Sequence, residues 1–244
     1  MAVKGKLYLV STPIGNYEDI TIRALNILKS VDFIICEEFK EARRLLSHYK
    51  IEPALSADRS ARLAAKRAVR KELFSLNEHN EKEAANDILH RIIQGKTAAL
   101  ISDCGTPLFS DPGHLLVDLL ISQKVDVVPV PGANSLLPAL TGSGLDFEKF
   151  YYYGWLSPKK DERRQELYKL KSIKEVIVIL DTPYRLKSLL TDVVKVFGKG
   201  LYAVIAFQLT LPGEKFYRGT TGQLLSIAEK ENLKGEFVLM IKNK

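Results

Sequence analysis

The sequence predicts a two-domain α/β fold, with a parallel sheet and helices over residues 1–132 and a mixed sheet with helices over residues 133–244. Three observations carry this expectation. Short apolar, β-rich runs alternate with stretches of helical periodicity in the first part, the pattern of successive βαβ units. The second part also alternates, but reads as a mixed α/β arrangement. The chain has 244 residues, of which 46% are hydrophobic, enough for one or two buried cores.

The elements follow from local signals. Residues 7–11 read as a strand that runs into the turn Thr12-Pro13-Ile14-Gly15. Residues 21–30 carry Ile22, Leu25 and Leu28 at helical spacing, with Asp19 or Thr21 as N-cap. A second strand covers 31–36 and a short basic helix 40–49. A third strand is placed at 74–76, ending in Asn77-Glu78-His79-Asn80. A helix spans 81–94 and Gly95 stops it. The fourth strand, 97–102, enters a loop dense in Gly and Pro, from Asp103 to Gly113. Pro112 opens the next helix, to residue 123, because proline suits a first helical turn. A fifth strand, 125–130, closes at Pro131-Gly132. Beyond it, helices are expected at 135–141, 160–171, 183–196 and 221–230. Strands are expected at 150–153, 176–181, 201–207, 215–218 and 237–241.

Several chemistries are excluded early. No G-x-G-x-x-G follows the first strand and no Walker A lysine loop occurs, so the usual dinucleotide and P-loop sites are not expected. There is no C-x-x-C and no H-E-x-x-H, and His48, His79, His90 and His114 are scattered, so no metal site is expected. Two cysteines, Cys36 and Cys104, make no disulfide framework. No apolar run approaches the roughly 20 residues of a membrane span, and the N-terminal run is too short for a signal peptide. A soluble, cytoplasmic protein without membrane partners is expected. The formal net charge of +7 suits a polyanion but is common in ordinary enzymes.

Four loops stand at the ends of expected strands: 12–16, 77–80, 103–113 and 130–135. A turn explains each singly. Together, at one edge of one sheet, they suggest a ligand pocket, because open α/β sheets bind ligands at the carboxyl ends of their strands. The turn units Gly105-Thr106-Pro107 and Asp111-Pro112-Gly113 fix the direction of backbone N–H groups there.

STPIGNYEDITIRAL (11–25), LLSHY (45–49), NEHNEKE (77–83), LISDCGTPLFSDPG (100–113) and VPVPGANSLLPALTGSGL (128–145) resemble the tetrapyrrole-methylase superfamily. Within it they most resemble the ribosomal RNA small-subunit methyltransferase I family. YYGWLSPKK (152–160) and DTPYR (181–185) extend the resemblance into the second half. It implies a tetrapyrrole-methylase-like fold of two α/β domains and a homodimer. The implied activity is methyl transfer from S-adenosylmethionine (SAM) to the ribose 2′-hydroxyl of a cytidine in 16S rRNA, in the 30S subunit. The cofactor residues it implies are Pro13, Asp103, Gly105, Thr106, Leu108, Phe109, Asn134, Ser135, Leu156, Gln208, Leu209 and Glu236. Backbone N–H groups at Gly105 and Thr106 are expected to hold a carboxylate, and Leu108 and Leu156 to flank an adenine. Glu37, Glu78, His79 and Arg185 are the candidates for proton removal and alignment at the hydroxyl.

RNA contact is expected of Lys40 and Tyr184, a cation and a base-stacking ring. It is also expected of residues 57–73, an insertion relative to the family that reads as a helix. Arg59, Arg62, Lys66 and Arg70 form one face of it, with Arg67 and Lys71 beside them. The chain also departs from the family in two motifs. Its Asp-Thr-Arg after the second strand appears as Glu38-Phe39-Lys40, and its Arg-Glu-Leu-Thr-Lys as Phe207-Gln208-Leu209-Thr210-Leu211. Two other readings stay open at this point: a methylase of a tetrapyrrole or other small molecule, and a SAM-binding paralogue without catalysis.

Overall fold

The computed structural model describes residues 4–51 and 71–243. The chain divides into two compact units, Met1–Asn134 and Ser135–Lys244.

The first unit alternates strand and helix: β1 (Lys6–Val10), α1 (Ile22–Ser30), β2 (Phe33–Cys36), α2 (Phe39–His48), β3 (Glu72–Ser75), α3 (Glu81–Ile93), β4 (Ala98–Ile101), α4 (His114–Ser122) and β5 (Asp126–Val130). The strands form one sheet in the order β3-β2-β4-β1-β5, and every pairing in it is parallel. The residue types explain this. The sequences FIIC and AALI of β2 and β4 are buried throughout, as parallel strands covered on both faces must be. Period-two alternation then divides their side chains. Ile34, Cys36, Ala99 and Ile101 pack with Ala24 and Leu28 of α1 and Ala42, Leu45 and Leu46 of α2. Phe33, Ile35, Ala98 and Leu100 pack with Ala85, Ile88 and Ile92 of α3 and Leu116 and Leu120 of α4.

This division marks the edge at which open α/β sheets bind ligands. The chain leaves β1 toward the face of α1 and leaves the neighbouring β4 toward the opposite face of α4. Their connections diverge at the carboxyl edge, which is the topological switch point of an open α/β sheet.

Local signals explain most boundaries. Thr21 is the N-cap of α1, its hydroxyl accepting from the Ala24 N–H at 3.0 Å. Pro112 does not open α4 as expected. Gly113 is the N-cap, and its φ of +122° separates Pro112 from the helix with a backbone that only glycine adopts readily. The expected helix over 57–73 is corrected at its end. Leu73 and Phe74 pair with Ile34 and Ile35 in β3, because pairing with β2 outweighs local helix propensity. Lys71 is buried and its ammonium donates to the Val31 carbonyl, so it is not part of an exposed basic face. Arg59, Arg62, Lys66 and Arg70 lie outside the described residues.

The second unit contains α5 (Leu136–Ser143), β6 (Phe150–Trp155), α6 (Lys160–Leu170), β7 (Val176–Asp181), α7 (Leu186–Phe197), β8 (Tyr202–Phe207), β9 (Lys215–Thr220), α8 (Thr221–Lys230) and β10 (Phe237–Lys242). Its sheet has the order β6-β7-β10-β8-β9. Only β6 and β7 pair in parallel, so the sheet is mixed. Ile177, Ile179, Ala203, Ile205, Leu239 and Ile241 share one core with the apolar faces of α6, α7 and α8. The helix α5 packs against β8, β9 and β10. There Gly142 makes room for the Phe216 ring, which a Cβ would meet at 2.3 Å. No helix among the described residues is long and apolar enough to cross a membrane.

Candidate functional site

At the switch point, three strand ends are stitched together by small hydroxyl side chains. The Thr12 N–H donates to the Gly105 carbonyl at 2.8 Å. The Thr12 hydroxyl donates to the Ser102 carbonyl at 3.1 Å and accepts from the Gly105 N–H at 3.1 Å. Thr106 donates to the Ala133 carbonyl at 3.1 Å and lies 3.1 Å from the Ser11 hydroxyl. The loops after β1, β4 and β5 are therefore one hydrogen-bonded assembly. Ser and Thr suit this work because one hydroxyl both donates and accepts within a small volume. Thr12 is buried, so Thr12→Val is expected to cost about 1–3 kcal/mol by leaving a buried N–H and a carbonyl without partners. Urea unfolding measures this, and an unchanged midpoint refutes the stitching role.

The same loop stores backbone strain. Leu108 and Ser110 have φ of 67° and 72°, the left-handed region that costs ordinary residues free energy and recurs at ligand sites. Gly105 adopts φ +88°, and a Cβ there would stand 3.2 Å from Ile14 Cγ2. The far end of the loop is held from another element. Glu81, the first residue of α3, accepts from the N–H groups of Gly113 and Leu115 at 2.9 and 3.2 Å. Its carboxylate thereby caps α4, where the helix dipole favours a negative charge.

The electrostatics of this edge are acidic. Burial, then the neighbouring Asp103 and Asp111, pushes the Glu37 carboxyl above the usual carboxylate range. Partial burial raises Asp103 against a hydrogen bond from the Glu38 N–H, and burial raises Asp111. One oxygen of Asp111 is buried without a hydrogen-bond partner among the described residues. Glu37, Leu76, Ser102, Pro107, Asp111 and Pro112 line a small cavity of about 10 Å³, room for about one water molecule. Carboxylates gathered at low dielectric favour a cation and take up protons readily. No group of three or more His, Cys, Asp or Glu side chains that could hold a metal occurs among the described residues.

The structure brings Pro13, Asp103, Gly105, Thr106, Leu108, Phe109 and Asn134 to this edge of the first unit, within or beside the stitched loops. It differs from expectation at Gly105, whose N–H is already donated to Thr12. Glu37 directly follows β2, within the acidic cluster. Glu78 and His79 are exposed in a turn closed by Asn77 and Asn80, in which Asn77 Oδ1 accepts from the His79 N–H at 3.0 Å. Lys40 is exposed on α2.

In the second unit, Gln208 and Glu236 meet, the Gln208 N–H donating to the Glu236 carbonyl at 2.8 Å. Burial raises the Glu236 carboxyl. Gln208 has φ +49° and Leu209 is buried. Ser135 is the N-cap of α5. The Leu156 side chain is packed into the core, 2% exposed. Arg185 is engaged at home: Nε lies 3.1 Å from Asp181 Oδ1, and Nη2 donates to the carbonyls of Leu156 and Ser157 at 3.0 and 2.9 Å. Beside it, Tyr184 is 83% exposed. Sequence reasoning missed Asp111 and Glu81 as parts of the site. SDPG was legible as a turn, but an Asp in a turn is most simply explained by its own backbone.

Residues 6–225 match the family described as Tetrapyrrole (Corrin/Porphyrin) Methylases. The chain is 37% identical over 238 residues to the ribosomal RNA small subunit methyltransferase I of Halalkalibacterium halodurans, covering 98% of this chain and 76% of that protein. It is 37% identical to the protein of the same name from Thermotoga maritima, covering 98% and 99% of the two chains. Among solved structures, it is similar in fold to a diphthine synthase, with a TM-score of 0.71, 15% identity and coverage of 97% and 89%. It is also similar to the uroporphyrin-III C-methyltransferase of Thermus thermophilus complexed with S-adenosylhomocysteine, with a TM-score of 0.62, 16% identity and 97% of each chain covered. A fold expected from alternating elements, a switch-point site of the expected loops, and identity over nearly the whole chain agree: the protein belongs to the tetrapyrrole methylases and, within them, to the ribosomal RNA small subunit methyltransferase I family.

Proposed function

We propose that this chain is a SAM-dependent methyltransferase that modifies the ribose 2′-hydroxyl of a cytidine in 16S rRNA. Near-full-length identity to small subunit rRNA methyltransferases carries the substrate class. The residues of the first unit suit the cofactor: a strained, glycine-containing loop lets backbone approach a ligand closely, and the acidic cluster of Glu37, Asp103 and Asp111 complements a sulfonium. When bound, SAM supplies a methyl group on a cationic sulfur, a leaving group that needs no metal. Asp103, Gly105, Thr106, Leu108, Phe109, Pro13 and Asn134 are the proposed contacts from the first unit, and Ser135, Leu156, Gln208, Leu209 and Glu236 those from the second.

Of the candidates for proton removal, Glu37 is favoured. It is partly buried, lines the cavity with Ser102 and Asp111, and has an elevated carboxyl, all of which suit a general base. With SAM bound as methyl donor, the Glu37 carboxylate would take the proton of the ribose hydroxyl. The surrounding carboxylates stabilise the positive charge that passes through that oxygen. Glu78 and His79, exposed in their turn, are second choices. Arg185 is better placed to hold the Leu156–Ser157 backbone than to hold a phosphate, since Nη2 donates to both carbonyls and Nε faces Asp181.

The test is methyl transfer from labelled SAM to undermethylated 30S subunits, with naked 16S rRNA and 50S subunits as controls. The expected result is label in 30S rRNA that protects one phosphodiester, 3′ to a cytidine, from alkaline cleavage. SAM binding with no label in any RNA refutes it and redirects the reading to a small substrate or a non-catalytic role. A cytoplasmic homodimer is proposed with this activity, and a light-scattering mass of one chain refutes the dimer.

A further inference from the structure

The helix α2 presents a face to solvent that the cofactor loops leave unused. Ala42, Leu45 and Leu46 point into the core. Phe39, Lys40, Arg43, Arg44 and His48 are exposed. Residues 39 and 43, and 40 and 44, are each one turn apart, so they form two neighbouring rows on the helix surface. Phe39 is 37% exposed, and the Arg43 guanidinium carbon stands over its ring, 5.4 Å from the centroid. Among the described residues neither Lys40 nor Arg43 is ion-paired, and Arg44 lies 3.8 Å from Glu41.

This face adjoins the acidic edge. Glu38 is the N-cap of α2, and its N–H donates to Asp103 Oδ1 at 3.3 Å. Phe39 is therefore the next residue along from a direct contact with the candidate cofactor loop. The charges divide the surface. Glu37, Asp103 and Asp111 repel phosphate and accept a neutral sugar or a cation, while Lys40, Arg43 and Arg44 attract phosphate one helical turn away. Such a division fits a nucleotide whose ribose faces the acids and whose phosphates face the helix. A ring with a guanidinium laid over it is a flat, polarisable surface of the kind on which unpaired bases stack.

We propose that Phe39 and Arg43 form a stacking platform for an unpaired base of the RNA, flanked by Lys40 and Arg44 as phosphate contacts. This rests on the rRNA reading of the site. Phe39→Ala is expected to weaken binding to undermethylated 30S subunits roughly 5- to 150-fold, the range for losing one base-stacking contact. The loss falls on KM, while SAM affinity by calorimetry stays at the wild-type value. Phe39→Tyr, which keeps the ring, is expected to restore binding. Lys40→Ala with Arg44→Ala is expected to flatten the salt dependence of binding by about 0.7 in log–log slope per charge removed.

Wild-type KM for Phe39→Ala, with wild-type methyl transfer to 30S rRNA, overturns the platform and leaves the rRNA reading standing. So does loss of binding that Phe39→Tyr does not restore. Failure of the wild-type chain to label any RNA, with SAM still bound, overturns the rRNA reading and the platform with it.

Discussion

Asp192→Ala is expected to destabilise the second unit by about 3–5 kcal/mol, the cost of removing one partner from a buried ion pair. Asp192 is buried on α7 and serves two arginines of α6. Its Oδ2 accepts from Arg163 Nε at 2.9 Å and Nη2 at 2.6 Å, and its Oδ1 from Arg164 Nε at 2.7 Å. Arg163 is itself buried, so alanine leaves a guanidinium inside the protein without its hydrogen-bonded carboxylate partner. The consequence extends to the loop after β6, because Arg163 Nη1 also donates to the carbonyls of Ser157 and Pro158 at 3.3 and 3.0 Å. Denaturant unfolding followed by a probe in the second unit, such as the Trp155 fluorescence, measures the loss. A change below about 1 kcal/mol, the scale of an exposed pair, refutes a structural role for the triad. Replacing Arg163 and Asp192 together with apolar residues of similar volume is expected to cost much less than Asp192→Ala, since no unpaired charge remains.

Glu37→Gln is expected to lower kcat/KM for methyl transfer by a factor of about 10²–10⁴, the usual contribution of a general base. The pH dependence carries a sign that separates this role from packing. Burial, then the neighbouring Asp103 and Asp111, raises the Glu37 carboxyl above its ordinary value of 4.5. The base works only when deprotonated, so wild-type activity is present above that raised value and is lost as pH falls through it. Stability runs the other way. A carboxyl with a higher pKa in the folded state binds protons more readily there, so its ionisation costs stability as pH rises from 4.5 through the raised value. Glu37→Gln is therefore expected to be neutral or stabilising at pH 8 while abolishing most activity. A variant that keeps wild-type kcat/KM, or one that loses activity in proportion to lost stability, removes Glu37 from the proton-acceptor role.

Most of the architecture was legible along the chain because each unit repeats a simple physical rule. Apolar quartets such as FIIC and AALI must be buried on both faces, and the amphipathic segments between them supply the cover. The elements that departed did so where tertiary pairing competed with local preference. Leu73 joined β3 because β2 offered it backbone partners and a covered face. Gly113 displaced Pro112 from α4 because a left-handed residue ends one conformation and begins another. The loops of the site were legible from their density of Gly, Pro, Ser and Thr, but the connections among them were not. Thr12 and Gly105 are 93 positions apart along the chain, and Glu81 caps a helix that begins 33 residues later.

The class of fold, the positions of the strands that end in the site and the family of those loops can all be read along the chain. Periodicity and turn chemistry are local, and the loop motifs are long enough to be specific. Packing in three dimensions brings the diverging β1 and β4 connections to one switch point and sets Asp111 with Glu37 around one acidic cavity. It also ties Arg185 to its own unit and lays Arg43 over the ring of Phe39. Those facts depend on distances between residues remote in the chain, which the packing of helices on both faces of the sheet sets and no stretch of sequence encodes alone.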